Sequence, residues 1–482
     1  MIIPQHLTLR AAARRLVLIG VMAVGAMVSA EAQVRYVKAA APAGGNGLSW
    51  ATAFNTLEAA ITNVPQDGEI WVAAATYKPA VTVPVQTGYV ITKRMKIYGG
   101  FRGNEGTIQA RKGYFLQTIL DGDVLGTPFN PSDDASHVIQ VLGVPGVTGS
   151  APGVIIDGFQ ITHGYASTDP VLANKGGGGI LSQCSDLDLA NCFIRSCCAP
   201  NGAGLFFGCT GLQEILPHRL HIKLSEFNSN VADQRGGGIY GKLLKGEVVN
   251  TQFLSNTATI EGGGAYLANM ALGAESTATF DFTNCTFWYN HADFYGGSFG
   301  GGISLGFLIN GARSVITNCS MAFNFVNNCQ NPSSGQAVFV DSHSIGTINN
   351  SILHWNDDPQ LPCNPFVSPI GGTPTVNYSQ VQGAWTGPGG NNLSVADPLF
   401  TNVSVGNLTL VVNLSGTSSP CIDAADYARV PLDNLDVDGD GNFGQLLPID
   451  LAGSARYFNI QAINDTGAPP NPALDMGAYE HP

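Results

Sequence analysis

The sequence predicts an all-β chain wound as a right-handed parallel β-helix with a helical N-terminal cap. Three observations carry that expectation. A nine-residue segment recurs seven times between residues 158 and 358, a glycine cluster follows most of its copies, and charged residues make up only 12% of a chain with 60 glycines. Few charges, frequent turn formers and no helical periodicity suit stacked short strands better than packed helices.

Taken in order, the chain opens with Arg10, Arg14 and Arg15, an apolar run over 16–28, and the small-residue stretch Ser29-Ala30-Glu31-Ala32. That order reads as a cleaved signal peptide over 1–32, with Gln33 as the new first residue. The run is shorter than the ~20 residues a helix needs to cross a bilayer, and no later stretch approaches that length. A mature chain without a transmembrane segment, secreted or held at the outer cell surface, is expected. Without its first 32 residues the chain keeps 19 basic against 34 acidic residues, which argues against nucleic acid as a partner. Ten cysteines permit disulfides in an exported protein, and their spacing lacks the paired C-x-x-C of a zinc site.

Residues 33–120 are assigned to the N-terminal cap and first coils. Ser49 is placed to N-cap a helix whose apolar residues Phe54, Leu57 and Ile61 share one face, and that helix closes the open end of the apolar stack.

Residues 121–395 hold the repeats, from GFQITHGYA (158–166) and NCFIRSCCA (191–199) through LSEFNSNVA, NTQFLSNTA, NCTFWYNHA and NCSMAFNFV to NSILHWNDD (350–358). The fourth position is always large and apolar: Ile161, Ile194, Phe227, Phe253, Phe287, Met321 and Leu353. Such a unit cannot bury its apolar face alone and must stack on its copies. Equivalent residues then lie ~4.8 Å apart, and the fourth positions form an interior column. Asn191, Asn250, Asn284, Asn318 and Asn350 are expected to form a second column, an amide ladder at a corner. The glycines follow from sharp corners that need positive φ and leave no room for a side chain. Strands and turns fill only ~20 residues of each unit, so each also carries a protruding loop. Residues 396–482 form a separate C-terminal region.

FNSN, FLSN and FWYN, alternating with GGGI and GGGA, resemble the repeats of chlamydial polymorphic outer membrane proteins and, more broadly, right-handed parallel β-helix repeat proteins of bacterial surfaces. The ending, with ADPLF (396–400), SSPCIDAAD (418–426) and DMGAYE (475–480), looks like the choice-of-anchor Q type. The resemblance implies a pectin-lyase-like solenoid.

That fold hosts polysaccharide lyases and glycoside hydrolases, yet the sequence shows no NTD, GHG or RIK set beside a catalytic Asp pair. Asp133-Asp134 stands alone, His163 lies beside a glycine, and Lys175, Arg195, Arg219, Lys223 and Arg235 fall at unrelated repeat positions. Trp288, Tyr295 and Trp355 are the candidate sugar-stacking residues, with Trp288 turned outward if Phe287 points in. Asp436, Asp438 and Asp440 in LDVDGDGN, followed by Gly441, match the first half of a calcium loop, although Leu447 holds the position of the twelfth-residue Glu. Asp450 could complete that shell, and calcium is the cofactor the sequence points to. Cys285 with Cys319, and Cys184 with Cys209, hold matching positions in adjacent repeats and are candidate disulfides.

The function read from the sequence is a monomeric surface or secreted β-helix with a non-catalytic binding or adhesion role toward polysaccharide or a surface partner. The alternative is a polysaccharide lyase or glycoside hydrolase. Three or more carboxylates gathered with a basic residue on one groove would favour the alternative; a groove of Asn, Gly and aromatics would favour binding.

Overall fold

Alternation within the residues preceding each repeat turns Leu189, Ile222, Val248, Phe282, Ile316 and Ile348 to one side of successive strands. In the structure, a computed structural model, those strands stack in direct parallel register, and all six side chains are buried. Residues 33–481 are described except for 81–86, 112–114, 128–133, 148–152, 167–175, 210–217, 243, 270–278, 294–297, 309–312, 328–333, 357–367, 395–396, 414–415, 464 and 469–472. The expected signal peptide, Asp133, Lys175 and Tyr295 lie outside the described residues.

One turn of the solenoid runs through Leu187–Ala190 in a first sheet, Phe193–Arg195 in a second, Cys198–Asn201 in a small one and Leu205–Gly208 in a third. The first sheet has 12 strands, the second 10, the small one five and the third nine. The protein is a right-handed parallel β-helix. The fourth positions of the repeats pair in sequence from Ile161 to Leu353. They form the interior column, in which Phe227, Phe253 and Phe287 stack face to face at 5.2 and 4.5 Å.

Two corners per coil adopt the left-handed conformation. Asn191, Asn250, Asn284, Asn318 and Asn350 have φ of 47–51°, and His163, Ser196, Ser229, Ser255, Tyr289, Phe323 and Trp355 have φ of 53–59°. Asparagine tolerates this region better than most residues, which accounts for its return at the first corner. The glycine cluster makes a third corner: Gly262 has φ of 64°, and a Cβ at Gly263 would sit 2.2 Å from the His291 carbonyl oxygen.

The amide ladder stands one corner later than the sequence suggested. Asn230, Asn256, Asn290, Asn324 and Asn356, all fully buried, pass hydrogen bonds from each Nδ2 to the next Oδ1 at 2.9–3.0 Å. In the expected column Asn284 Nδ2 reaches Asn250 Oδ1 at 3.0 Å. Its other members turn elsewhere: Asn191 to Asp157, Asn250 to the Asp450 carbonyl and Asn350 to the Asp426 carbonyl. The reason is position. At the first corner Asn250, Asn284 and Asn350 reach the C-terminal region, whereas the second asparagine points into the solenoid wall.

The N-terminal cap also differs in detail. Ser49 caps a short 3-10 turn, Trp50–Thr52, and Thr56 caps the helix Leu57–Asn63, which buries Leu57, Ala60 and Ile61. Ala53 and Phe54 run between the two in extended form, with Phe54 N bonded to the Tyr36 carbonyl, so Phe54 is not part of the helix.

The C-terminal region lies along the first corner. Lys223 Nζ donates to the Leu435 and Asp436 carbonyls at 2.6 and 2.7 Å, and Asn284 Nδ2 donates to the Ile449 carbonyl. Ala478 N donates to Ser320 Oγ, and Gly477 N to the Asn350 carbonyl. Its own apolar cluster includes Cys421, Ile422, Val437, Leu447, Leu474 and Met476.

Candidate functional site

The outward residues of the first sheet form a titratable row. Asp188 pairs with His221, His221 with Glu247 and Glu247 with Asp281, each in direct register. Neighbouring strands place these residues about 4.8 Å apart at Cα. Arg219, on the same face, lies 3.4 Å from both Asp188 oxygens, and His221 Nδ1 is 3.6 Å from Asp188. Asp281 accepts the Val315 N–H at 2.8 Å. Lys223 stands at the edge of the row, its ammonium held by the 435–436 carbonyls.

Burial sets the protonation of the row. It pushes Glu247 up to about 7, helped by the charges of Asp281 and Asp433 and opposed by the Asn434 side chain. It pushes Asp281 up to about 6 against the Val315 N–H and Arg313, and Asp188 to about 6 against Arg219. His221 is driven down to about 4 by burial and by Arg219, so its imidazole is neutral near pH 7. On the flank, burial works against Asp186 as well. There His218 and the Arg219 and Gly146 N–H groups prevail and hold it down to about 2. The face thus offers a carboxylic acid able to donate a proton beside carboxylates able to accept one, the pairing that acid-base cleavage of a glycosidic bond uses.

The candidate aromatics are not brought together. Trp288 does point out of the solenoid, but its Nε1 donates to the Val403 carbonyl at 2.8 Å and its ring lies against Gly406. Trp355 is 40% exposed at a left-handed corner, edge-on to His354. His163, itself at the second corner, binds Asp121 through Nδ1 at 2.8 Å.

The acidic loop gathers a different trio from the expected one. Ligating atoms of Asp433, Asp436 and Asp438 lie within 4.8 Å of one another. Asp440 instead accepts from Asn442 N and Gln445 Nε2, and both Asp433 oxygens accept the Val437 N–H. Asp450 is fully buried elsewhere, accepting from Ser454 N and Glu480 N. It therefore cannot complete a shell around the loop.

Of the candidate disulfides, Cys184 and Cys209 are bonded, their Cα atoms 4.8 Å apart. Cys285 and Cys319 are free and buried. They belong to an inward column of small residues with Cys192, Ser225, Thr251, Ser351 and Ser379. Each thiol donates to its own chain two residues back, Cys285 to the Thr283 carbonyl at 3.2 Å and Cys319 to the Thr317 carbonyl at 3.3 Å. The serines Ser225 and Ser351 close the same bond.

No family profile and no curated protein matches the chain. Among solved structures, pectate lyase Pel9A is 13% identical, covering 93% of this chain and 96% of its own, with a TM-score of 0.45. XylC in complex with xylose is 10% identical over 93% of this chain and 99% of its own, with a TM-score of 0.36. Pectin methylesterase from Aspergillus niger is 11% identical over 78% and 94%, with a TM-score of 0.30. Among the described residues, no helix is long and apolar enough to cross a membrane.

Proposed function

We propose that this is an exported β-helix protein of the bacterial-surface type that engages polysaccharide on the outer face of its first sheet and cleaves it by acid-base chemistry. The observation that supports this reading is the row Asp188, Glu247 and Asp281 beside Arg219, three half-buried carboxyl groups with a cation on one face. Glu247 is the proton donor and Asp281, one strand away, the carboxylate partner. The signal-like N-terminus and the choice-of-anchor-type ending support export. The second reading, adhesion without cleavage, is favoured by Trp355, whose 40% exposure leaves a ring free to stack on sugar.

Incubation with a panel of neutral and acidic polysaccharides, scoring both new reducing ends and retention on the immobilised polymer, tests both. Cleavage by the parent that is lost in Glu247→Gln, with retention kept, is expected. Retention without cleavage would leave adhesion, and neither would end both readings.

A further inference from the structure

The second corner of the coils turns in the same way along the repeats but changes its residue. Ser196, Ser229 and Ser255 hold it in three successive coils with φ of 53–55°, and Tyr289, Phe323 and Trp355 hold it in the next three with φ of 54–58°. The backbone bond at the corner is the same in both sets. Ser229 N donates to the Leu254 carbonyl at 3.0 Å, and Tyr289 N to the Ala322 carbonyl at 3.2 Å. Serine therefore meets every demand of the fold here, whereas a bulky side chain at positive φ is disfavoured and, where it recurs, points to function. Gly383 takes the corner in the following coil, with φ of 84°, so the aromatic run ends after three.

The three corners follow one another along the solenoid axis at the rise of one coil, about 4.8 Å at Cα. Trp355 is 40% exposed, and Tyr289 and Phe323 are half-buried. The rings are braced from behind. Each is followed by a buried ladder asparagine, Asn290, Asn324 or Asn356, and the ladder joins these three from Nδ2 to Oδ1 at 2.9 Å. Tyr289 lies edge-on to His291 at 4.8 Å and to Phe325 at 5.9 Å, and Trp355 edge-on to His354 at 5.4 Å. None of the flanking positions, one before and two after each ring, is lysine or arginine.

We propose that Tyr289, Phe323 and Trp355 form a binding stripe for an uncharged polysaccharide chain lying parallel to the solenoid axis, one sugar against each ring. The inference rests on the reading that the protein engages polysaccharide, and it adds a second place for that contact, apart from the acid row of the first sheet. The rise of a coil is close to the length of one sugar unit in an extended chain, so successive units meet successive rings. The apolar face of a pyranose packs on an aromatic ring, while flanks without cations give an acidic polymer nothing to pair with. A protein partner fits poorly, because a stable interface takes ~800 Å² from each side, more than three half-covered rings in single file supply. Rings fixed before the sugar arrives lose little freedom on binding it.

The test is retention of the full chain on insoluble cellulose, mannan and chitin, with a polygalacturonate gel as the acidic polymer. The parent is retained on at least one neutral polymer. The triple variant Tyr289→Ser, Phe323→Ser, Trp355→Ser, which puts the residue of the earlier coils at all three corners, melts as the parent does and binds that polymer at least about tenfold more weakly. Trp355→Phe keeps the retention. Titration with the matching soluble oligosaccharide shifts the tryptophan emission of the parent to shorter wavelength and leaves that of Trp355→Phe unmoved. A triple variant that melts as the parent does and is retained equally overturns the stripe and leaves the polysaccharide reading standing. Retention on polygalacturonate alone overturns it too, as does an emission shift kept in Trp355→Phe, a readout that serves even if the triple variant fails to fold. A parent retained on no polymer overturns the stripe and that reading together.

Discussion

Replacing Asn290 by Ala should damage the solenoid more than any comparable change at the first corner. Asn290 is fully buried, and its side chain makes four bonds of good length. Nδ2 donates to the Phe253 carbonyl and to Asn324 Oδ1 at 2.9 Å each, and Oδ1 accepts from Asn256 N and Asn256 Nδ2 at 3.0 Å each. Truncation removes all four and leaves the Asn256 N–H without a partner inside the wall. A net hydrogen bond is worth about 1 kcal/mol and a stranded buried group costs about 1–3 kcal/mol, so the loss should be about 3–5 kcal/mol. Asn284→Ala is the comparison. It removes two bonds, to Asn250 Oδ1 and the Ile449 carbonyl, and puts alanine at φ of 51°, for about 2–3 kcal/mol. Urea unfolding followed by circular dichroism should give midpoints in the order parent, Asn284→Ala, Asn290→Ala. If Asn290→Ala unfolds at or above the Asn284→Ala midpoint, the ladder is not the stronger column.

Two further outcomes follow from burial. Thiol counting on the denatured, unreduced protein should find at least the six thiols of Cys192, Cys197, Cys198, Cys285, Cys319 and Cys421, with Cys329 and Cys363 able to raise the count to eight; fewer than six would mean that one of these six is bonded. In the folded protein those thiols should react slowly, because burial pushes Cys192, Cys197 and Cys421 up to about 12. Glu247 gives a pH test. Its folded value, about 7, lies above its ordinary value near 4.3. The stability it contributes is therefore intact below about pH 4 and lost as the pH rises through 7. Glu247→Gln should match the parent at pH 4 and exceed it at pH 8 by about 1–2 kcal/mol after solvent screening, and a variant less stable than the parent at pH 8 would refute the buried-acid account.

The fold was legible because each coil repeats the same small set of demands. A large apolar fourth residue, an asparagine that can take positive φ and a glycine cluster where a Cβ has no room each leave a mark in every copy. The placement of the ladder was harder to read, since both asparagines of the repeat recur and only the packing shows which one faces the wall. The titratable row was present in the sequence but lay just outside the segments aligned. Asp188, His221, Glu247 and Asp281 each stand three residues before a repeat begins, and extending the alignment by one strand exposes the column. The choice between Asp440 and Asp433 could not be read from spacing. Asp433 joins Asp436 and Asp438 through a turn closed by its own bonds to Val437, a contact that local spacing of aspartates does not encode.

The docking of residues 396–482 along the first corner changes how the solenoid can come apart. A chain of stacked coils with nearest-neighbour contacts alone can peel from either end, one coil at a time. Here a single late segment grips Lys223, Asn250, Asn284, Ser320 and Asn350 in five successive coils. It works as a splint laid across the stack, and a coil that loosens in the middle must break its own grip on that splint as well as both neighbours. Because residues 396–482 follow the coils in the chain, the coils are free to wind up in any order during synthesis, and the structure becomes one cooperative unit only when that segment docks.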